Sequence, residues 1–135
     1  MARIVFDTSV LLAIALDEQK AGDVEDELEA VSRGENLGLI SAAAVVEIFE
    51  KITRVGGREV AVRFLEKLKS SGLFVVDVTE EIAKLAGPLK ARFPQLSTAD
   101  AIIISTAYAN KAKLYTFDKG FFGIGGVDLI GINEG

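Results

Sequence analysis

The sequence predicts an α/β fold, a three-layer α/β/α sandwich around a central parallel sheet of four to five strands. Short apolar and β-branched runs alternate along the chain with longer helical segments, which is the pattern of parallel strands joined by crossover helices. Half of the 135 residues are apolar and 26% are charged, enough apolar material for one well-filled core. We therefore expect residues 1–135 to form a single domain.

Five short runs are predicted to be strands because they are apolar or β-branched and are bounded by turn-forming or helix-starting residues. They are Ala2–Phe6, Leu37–Ile40, Leu73–Val78, Lys113–Phe117 and Val127–Ile132.

Six intervening segments are predicted to be helices, most of them with apolar residues at helical spacing on one side. The helix that contains Pro88 is expected to bend or divide there, because proline removes a backbone donor. The predicted helices are Val10–Leu16, Ala21–Arg33, Ala42–Val55, Arg58–Ser71, Thr79–Phe93, and a segment that begins at Ser97 or Thr98 and continues to Ala107.

The residue types that are missing exclude several classes of chemistry. The chain has no Cys and no His, which excludes disulfides, thiol nucleophiles and imidazole acid–base catalysis. An enzyme built from this sequence would depend on carboxylates, hydroxyls, Lys and Arg, and carboxylates suit hard cations such as Mg²⁺ or Mn²⁺. The net charge of −5 argues against a general nucleic-acid coat but is compatible with a nuclease whose acids surround a metal.

No apolar run in the sequence is long enough to span a bilayer. The apolar N-terminal run reaches Asp7 too early for a signal peptide. We therefore expect a soluble, cytoplasmic protein.

Two aspartates follow predicted strands. Asp7 comes after the first strand, where Asp7, Thr8 or Ser9 could simply cap the next helix. Asp118 comes after the fourth strand, where it could be a plain turn former.

Two further acids lie on predicted helices. On a helical wheel Asp100 shares a face with the apolar Ile103 and Ile104, although an aspartate in a first turn is also favoured by the helix dipole alone. Glu47 lies nearly opposite the apolar stripe of its helix, and its simplest interpretation is an exposed glutamate paired with Lys51.

The predicted topology gathers these four acids at one edge of the sheet. In a parallel α/β fold the helix N-termini lie at the same edge as the carboxyl ends of the strands, and ligands bind there. Two like charges 4 Å apart repel by about 4 kcal/mol at an effective dielectric near 20. A cluster of four carboxylates would therefore be costly without a divalent cation.

Four short motifs in this order resemble the PIN-domain family, and within it the VapC-type toxins of VapBC toxin–antitoxin pairs. The resemblance covers essentially the whole chain, and although each motif is weakly specific, the ordered set is more so. The motifs are Phe6-Asp7-Thr8-Ser9, Ser41 with Glu47, Ser97-Thr98-Ala99-Asp100-Ala101, and Tyr115-Thr116-Phe117-Asp118.

The resemblance implies a sheet of strand order 3-2-1-4-5 and an endoribonuclease that depends on Mg²⁺ or Mn²⁺. It implies that the catalytic, metal-binding acids are Asp7, Glu47, Asp100 and Asp118. It also implies that supporting hydroxyls come from Thr8, Ser9 and Thr116.

One position departs from the family pattern. Many relatives carry another acid two residues after the fourth one, where this chain has Gly120, which puts a complete second metal site in doubt.

The same resemblance implies a homodimer and an antitoxin partner. Candidate contacts to the RNA backbone are basic residues near the acids, namely Lys51, Arg54, Arg58 and Lys119.

The sequence leaves other functions open. A phosphotransferase of the haloacid-dehalogenase type also begins with a strand and an Asp, but it requires a second Asp where this chain has Ser9. A PIN-like fold could also serve as a non-catalytic RNA- or protein-binding module, or as an RNA-processing nuclease without a toxin role.

Overall fold

A computed structural model describes residues 1–16 and 18–132. Its centre is a five-stranded, wholly parallel sheet in the order β3-β2-β1-β4-β5, which confirms both the predicted fold class and the predicted strand order. The strands are β1 (Ala2–Phe6), β2 (Asn36–Ser41), β3 (Phe74–Val76), β4 (Lys113–Tyr115) and β5 (Leu129–Ile130).

Six α-helices and one 3₁₀ turn (Lys119–Phe121) join the strands of the described chain. Polar side chains cap several helix starts: Ser41 accepts a hydrogen bond from Ala43 N, and Ser97 accepts one from Asp100 N. The helices are α1 (Thr8–Ala15), α2 (Ala21–Ser32), α3 (Ala42–Gly56), α4 (Arg58–Ser70), α5 (Glu80–Arg92) and α6 (Thr98–Ala109).

The middle of the sheet is fully enclosed. Val5 and Phe6 of β1, Ile40 of β2 and Leu114 of β4 have no exposed surface, and α6 contributes the buried Ile103 to the same core. Strands covered on both faces read as continuous apolar runs, which explains why these runs were recognisable in the sequence.

Some predicted bounds were too long. The strand predicted over Leu73–Val78 is shorter because Thr79 caps α5, so the preceding residues must turn away from the sheet. The strand predicted over Val127–Ile132 is also shorter, and Gly131, which follows β5, has a left-handed φ of +97°. Helix α5 continues through Pro88, so of the two predicted effects of Pro88, bending or division of the helix, division does not occur.

The register of β1 and β4 determines where the candidate site forms. Phe6 lies opposite Tyr115, and Asp7 N continues the ladder with a 2.9 Å hydrogen bond to Tyr115 O. Asp7 and Thr116 therefore leave the carboxyl edge of the sheet side by side. Within the described ranges, no helix has the length and apolar character needed to cross a membrane.

Candidate catalytic site at the carboxyl edge of the sheet

Asp7 is the buried centre of the candidate site. It connects β1 to α1 and only 4% of its surface is exposed. Although Asp7 stands at the N-cap position of α1, its side chain makes no capping hydrogen bond, so the interpretation of Asp7 as a simple cap is wrong. Instead, Ser9 Oγ and Thr116 Oγ1 both donate to Asp7 Oδ2, at 2.8 and 2.7 Å.

Backbone amides fix the orientation of these two hydroxyls. Phe117 N donates to Ser9 Oγ at 3.0 Å, and Asp118 N donates to Thr116 Oγ1 at 2.9 Å. Because a hydroxyl has a single proton, an oxygen that accepts from an amide can direct that proton to the carboxylate. Two amide–hydroxyl–carboxylate chains therefore hold Asp7 in one orientation.

The electrostatic environment of Asp7 disfavours its charged form. Burial raises the pKa of the Asp7 carboxyl, and the nearby charge of Asp100 raises it further, while the hydrogen bonds from Thr116 and Ser9 offset part of the rise. No cationic side chain within residues 1–16 and 18–132 forms an ion pair with Asp7 or Asp100. Negative charge on these two carboxyl groups is thus not balanced by an ion pair within the described residues.

Asp100 combines a structural role with its proximity to Asp7. It lies in the first turn of α6, where Asp100 N donates to Ser97 Oγ at 3.0 Å and Ser97 N donates to Asp100 Oδ2 at 3.2 Å. This reciprocal arrangement is a capping box. The Asp100 side chain is half-buried and is not enclosed among apolar side chains. Its hydrogen bonds are those of an aspartate in the first turn of a helix, which is the simpler of the two interpretations of the sequence.

Glu47 is held by α1 rather than by its own helix. Thr8 Oγ1 donates a 2.7 Å hydrogen bond to Glu47 Oε1. The intrahelical ion pair on this stretch of α3 is formed by Glu50 and Arg54, at 2.9 Å. The interpretation of Glu47 as an exposed partner of Lys51 is therefore wrong.

Asp118 is exposed and caps the 3₁₀ turn that follows β4, because its Oδ1 accepts a 2.8 Å hydrogen bond from Gly120 N. Thr116 connects Asp118 to Asp7, because Thr116 Oγ1 accepts a hydrogen bond from Asp118 N and donates one to Asp7 Oδ2. A Cβ at Gly120 would lie 3.0 Å from Asp118 Oδ1, so another side chain at this position would press on the carboxylate.

In the part of the chain that the structure describes, no three acidic side chains are gathered closely enough to hold a metal ion. The donor chemistry still fits a hydrated ion, since Mg²⁺ commonly binds through one or two carboxylates and keeps several waters. Asp7 and Asp100, which lack a cationic partner among the described residues, are the residues that could hold it. Glu47 and Asp118 are engaged by Thr8 and by the 3₁₀ turn.

The basic residues predicted from sequence lie on the surface. Lys51, Arg58 and Lys119 are exposed, and Arg54 is paired with Glu50. Lys20 was not predicted from the sequence to lie near the site, yet its Nζ lies 4.7 Å from the ring centroid of Phe117. Lys20 directly precedes α2 and belongs to none of the motifs, so nothing in the sequence indicated that it lies beside Phe117.

Tyr115 was noted only as part of a motif, yet the structure gives it an unusual environment. Burial raises the pKa of Tyr115 to about 12, and the charges of three acids on α2 contribute to the rise. Those acids are Glu27, Asp23 and Asp26.

The fold and these side chains define an α/β protein with an acidic site at the carboxyl ends of its two central strands. The PIN-domain model matches residues 4–126, and the chain belongs to the PIN-domain family. Comparison by sequence with curated proteins gives no significant match.

Solved structures share the same fold. A chain of VapBC2 from Rickettsia felis, bound to a DNA fragment from its promoter, superposes with a TM-score of 0.77 at 21% identity, covering 94% of this chain and 96% of that one. VapBC from Salmonella typhimurium, also DNA-bound, gives 0.73 at 17% identity over 96% and 97% of the two chains.

Mycobacterium tuberculosis VapC20, described as a sarcin–ricin loop cleaving toxin, gives a TM-score of 0.70 at 19% identity, covering 85% of this chain and 89% of that one. At these identities the likeness concerns the fold.

Proposed function

We propose that this protein is an endoribonuclease that depends on Mg²⁺ or Mn²⁺ and hydrolyses RNA phosphodiester bonds. The observation that carries the proposal is the state of Asp7: a buried carboxylate, oriented by two hydroxyls, beside a second carboxylate and without a cationic side chain among the described residues to balance it. Burial of unpaired like charges is costly, and a site built this way is suited to a bound cation.

In this proposal Asp7 and Asp100 would hold the metal ion. When bound, Mg²⁺ or Mn²⁺ supplies Lewis acidity for phosphodiester hydrolysis and positive charge to offset that of the phosphate. Ser9 and Thr116 keep Asp7 in a single orientation, so little rearrangement is needed when the ion enters. Thr8 holds Glu47 at the same edge.

Glu47 and Asp118 complete the proposed set of catalytic carboxylates. Each already accepts a hydrogen bond, from Thr8 Oγ1 and from Gly120 N respectively, which favours a role through water molecules rather than direct ligation. With Gly120 in place of a further acid, the chain offers no additional carboxylate for a second metal at that position.

Exposed basic residues would hold the RNA backbone. We assign this role to Lys119, Lys51 and Arg58, and to Arg54 when it releases Glu50. The overall negative charge of the chain makes non-specific adhesion to nucleic acid weak, so substrate choice would depend on local contacts.

We further propose that the nuclease is the toxin of a toxin–antitoxin pair, works as a homodimer and is inhibited by an antitoxin protein. The support is the similarity of fold to chains from VapBC complexes and to a toxin that cleaves the sarcin–ricin loop. An apolar cleft of about 470 Å³ between α5 and α6, lined by small residues that include Ala86, Gly87 and Ala101, offers a surface for self-association. Sedimentation of the purified protein tests the dimer.

A non-catalytic binding module is the second candidate. It is favoured by the absence of three gathered acids among the described residues. The two functions differ in one measurable property, because a binding module has no need of a divalent cation.

Cleavage of a structured RNA by the purified protein tests the proposal. We expect cleavage with Mn²⁺ or Mg²⁺, and loss of cleavage with EDTA or in Asp100→Asn. The matched control is Asp77→Asn, an exposed aspartate that follows the edge strand β3, which should cleave like the wild type. Absence of cleavage together with absence of metal binding by calorimetry would favour the binding module instead.

The toxin role has a separate test. Induced expression in a bacterial host should arrest growth with the wild-type chain and not with Asp100→Asn. Cleavage in vitro without growth arrest would instead support an RNA-processing nuclease.

A further inference from the structure

A cleft of about 610 Å³ opens beside the candidate catalytic site, between the first half of α2 and the ends of β4 and β5. Tyr115 and Phe117 form its aromatic floor, and Lys20 and Lys119 stand at its rim. The mechanism proposed above uses only Lys119 of these residues.

Tyr115 presents an unpaired polar group to this cleft. Its surface is only 3% exposed, and its ring packs against Phe6 and edge-on against Phe117, with centroid distances of 5.6 and 5.7 Å. Gly131 closes over the ring, where a Cβ would come within 2.5 Å of Tyr115. Within the described residues the Tyr115 hydroxyl forms no side-chain hydrogen bond, and although the ring is buried the oxygen itself is reachable from the cleft.

One wall of the cleft is acidic. Asp23, Asp26 and Glu27 of α2 line it and lie close enough to Tyr115 for their charges to act on its hydroxyl. At neutral pH the phenol is a hydrogen-bond donor, whereas the carboxylates can only accept. Inside its lysine rim, the cleft therefore offers the Tyr115 hydroxyl as a donor next to a row of carboxylate acceptors, over an aromatic surface.

Two of the residues that line the cleft, Phe117 and Lys119, adjoin the candidate catalytic residues. Phe117 N donates to Ser9 Oγ, which donates to Asp7, and Lys119 directly follows Asp118 in the chain. A nucleotide whose phosphate lies at Asp7 and Asp118 would therefore have its base, or that of a neighbour, beside Phe117. The acidic wall repels phosphate, so the part of an RNA that enters the cleft is a base and not the backbone.

We propose that this cleft is a nucleobase subsite that selects guanine, an inference that rests on the ribonuclease function proposed above. The Watson–Crick edge of guanine carries the O6 acceptor next to two N–H donors, N1–H and the N2 amino group. The Tyr115 hydroxyl would donate to O6 while carboxylates on α2 accept from the N–H groups. Stacking on Phe117 would supply sequence-independent affinity.

Uracil is the mismatched base for this site. Its single N–H is flanked by two carbonyl oxygens, so at least one of them would face a carboxylate of α2 without a donor between them. An oxygen that faces another acceptor with no proton between them costs binding free energy, and guanine avoids this cost. Lys20 must leave the face of Phe117 for stacking on that side, and it forms no ion pair within the described residues that would hold it there.

Binding of nucleoside monophosphates in EDTA tests this subsite without any need for metal or cleavage. The chain has two tyrosines, so ¹³C-labelled tyrosine gives two ring signals, and Tyr108→Phe assigns the remaining one to Tyr115. We expect GMP to shift the Tyr115 signal and to bind at least about tenfold more tightly than UMP.

Two variants and one control separate recognition from packing. Tyr115→Phe removes only the hydroxyl, and Glu27→Gln removes one charge from the wall; both should bring GMP affinity close to that of UMP. Tyr108→Phe is the control because Tyr108 bonds Gly125 O, outside the cleft, and it should keep the preference for GMP.

Equal affinity for GMP and UMP, or a Tyr115 signal that neither nucleotide moves, would overturn the proposal. A Tyr115 signal that responds to N-acetylarginine amide and not to GMP would also overturn it, and would assign the cleft to a basic side chain of a protein partner. Failure of the ribonuclease proposal is distinguishable from failure of the subsite. If GMP is preferred in EDTA but no metal condition gives RNA cleavage, the catalytic function is rejected and the subsite is kept.

Discussion

Thr8 Oγ1 donates a 2.7 Å hydrogen bond to Glu47 Oε1, which joins the first turn of α1 to α3 across 39 residues of sequence. Thr8 is buried and Glu47 is half-buried, so water competes only weakly for this bond. The contact holds Glu47 at the carboxyl edge of the sheet instead of leaving it to swing along the surface of its own helix.

Thr8→Val should destabilise the protein because it keeps the shape of the side chain and removes the donor. Hydrogen bonds to charged groups contribute about 1.5–3 kcal/mol, and we expect a loss in the free energy of unfolding of that order. Glu47→Gln keeps an acceptor for Thr8 and should cost less. Urea unfolding in EDTA measures both, and a larger loss for Glu47→Gln than for Thr8→Val would contradict the assignment.

Thr116→Val should affect both stability and metal binding. The variant removes a donor to Asp7 and the acceptor of Asp118 N in a fully buried position, with an expected cost of about 1–3 kcal/mol in the free energy of unfolding. Loss of a residue that orients a ligand weakens metal affinity by about 10–100-fold.

Calorimetric titration with Mn²⁺ measures this second effect of Thr116→Val. Thr53→Val, at an exposed position of α3, is the matched control and should bind Mn²⁺ like the wild type. Unchanged affinity in Thr116→Val would mean that the hydroxyl does not support a metal ligand.

The raised pKa of Asp7 predicts how stability depends on pH. A carboxyl whose pKa rises on folding binds its proton more tightly in the native state, so its contribution to stability is fully present below the ordinary value of 3.8 and is lost as pH increases through the raised value. Asp7→Asn removes the titrating carboxyl, so the variant does not lose stability in this way as pH increases. In EDTA the variant should therefore be more stable than the wild type at neutral pH, and the difference should shrink as pH falls toward 3.8.

Chemical unfolding of both proteins at a series of pH values measures the difference. A variant that is less stable than the wild type at neutral pH in EDTA would show that the hydrogen bonds from Ser9 and Thr116 outweigh burial, and that folding does not raise the pKa of Asp7.

The fold was predictable from the sequence because its signals are local. Buried strands such as Ala2–Phe6 are continuous apolar runs, and the N-cap serines of α3 and α6 mark helix starts. The register that places Phe6 opposite Tyr115 is a property of the assembled sheet and has no local signal in the sequence. The proximity of Asp7 to Thr116 was therefore predicted only from the topology and from the family resemblance.

Side-chain partners across the fold were less predictable. A helical wheel places Glu47 relative to its own helix but contains no information about Thr8, whose hydroxyl donates to Glu47 from another helix. Tyr115 likewise reads as an aromatic residue in a strand. Its unpaired hydroxyl and the acids that face it from α2 exist only once the chain has folded.

A two-carboxylate metal site and a four-carboxylate one differ in which variants still gain stability from Mn²⁺. A ligand that binds only the native state stabilises it by RT ln(1 + [L]/Kd), which is about 2.7 kcal/mol at a hundred times Kd. We expect Mn²⁺ to raise the Tm of the wild type and to leave the Tm of Asp7→Asn and Asp100→Asn unchanged. Asp118→Asn should keep most of the rise, because its carboxylate is occupied by Gly120 N.

Thermal unfolding with and without Mn²⁺ makes the comparison, with Asp77→Asn as the exposed control that should respond like the wild type. If Asp118→Asn and Glu47→Gln abolish the shift as completely as Asp100→Asn does, all four acids bind the ion directly. The hydrogen bonds from Gly120 N and Thr8 Oγ1 must then rearrange when the metal enters, and the metal-free geometry would be a resting state of the site.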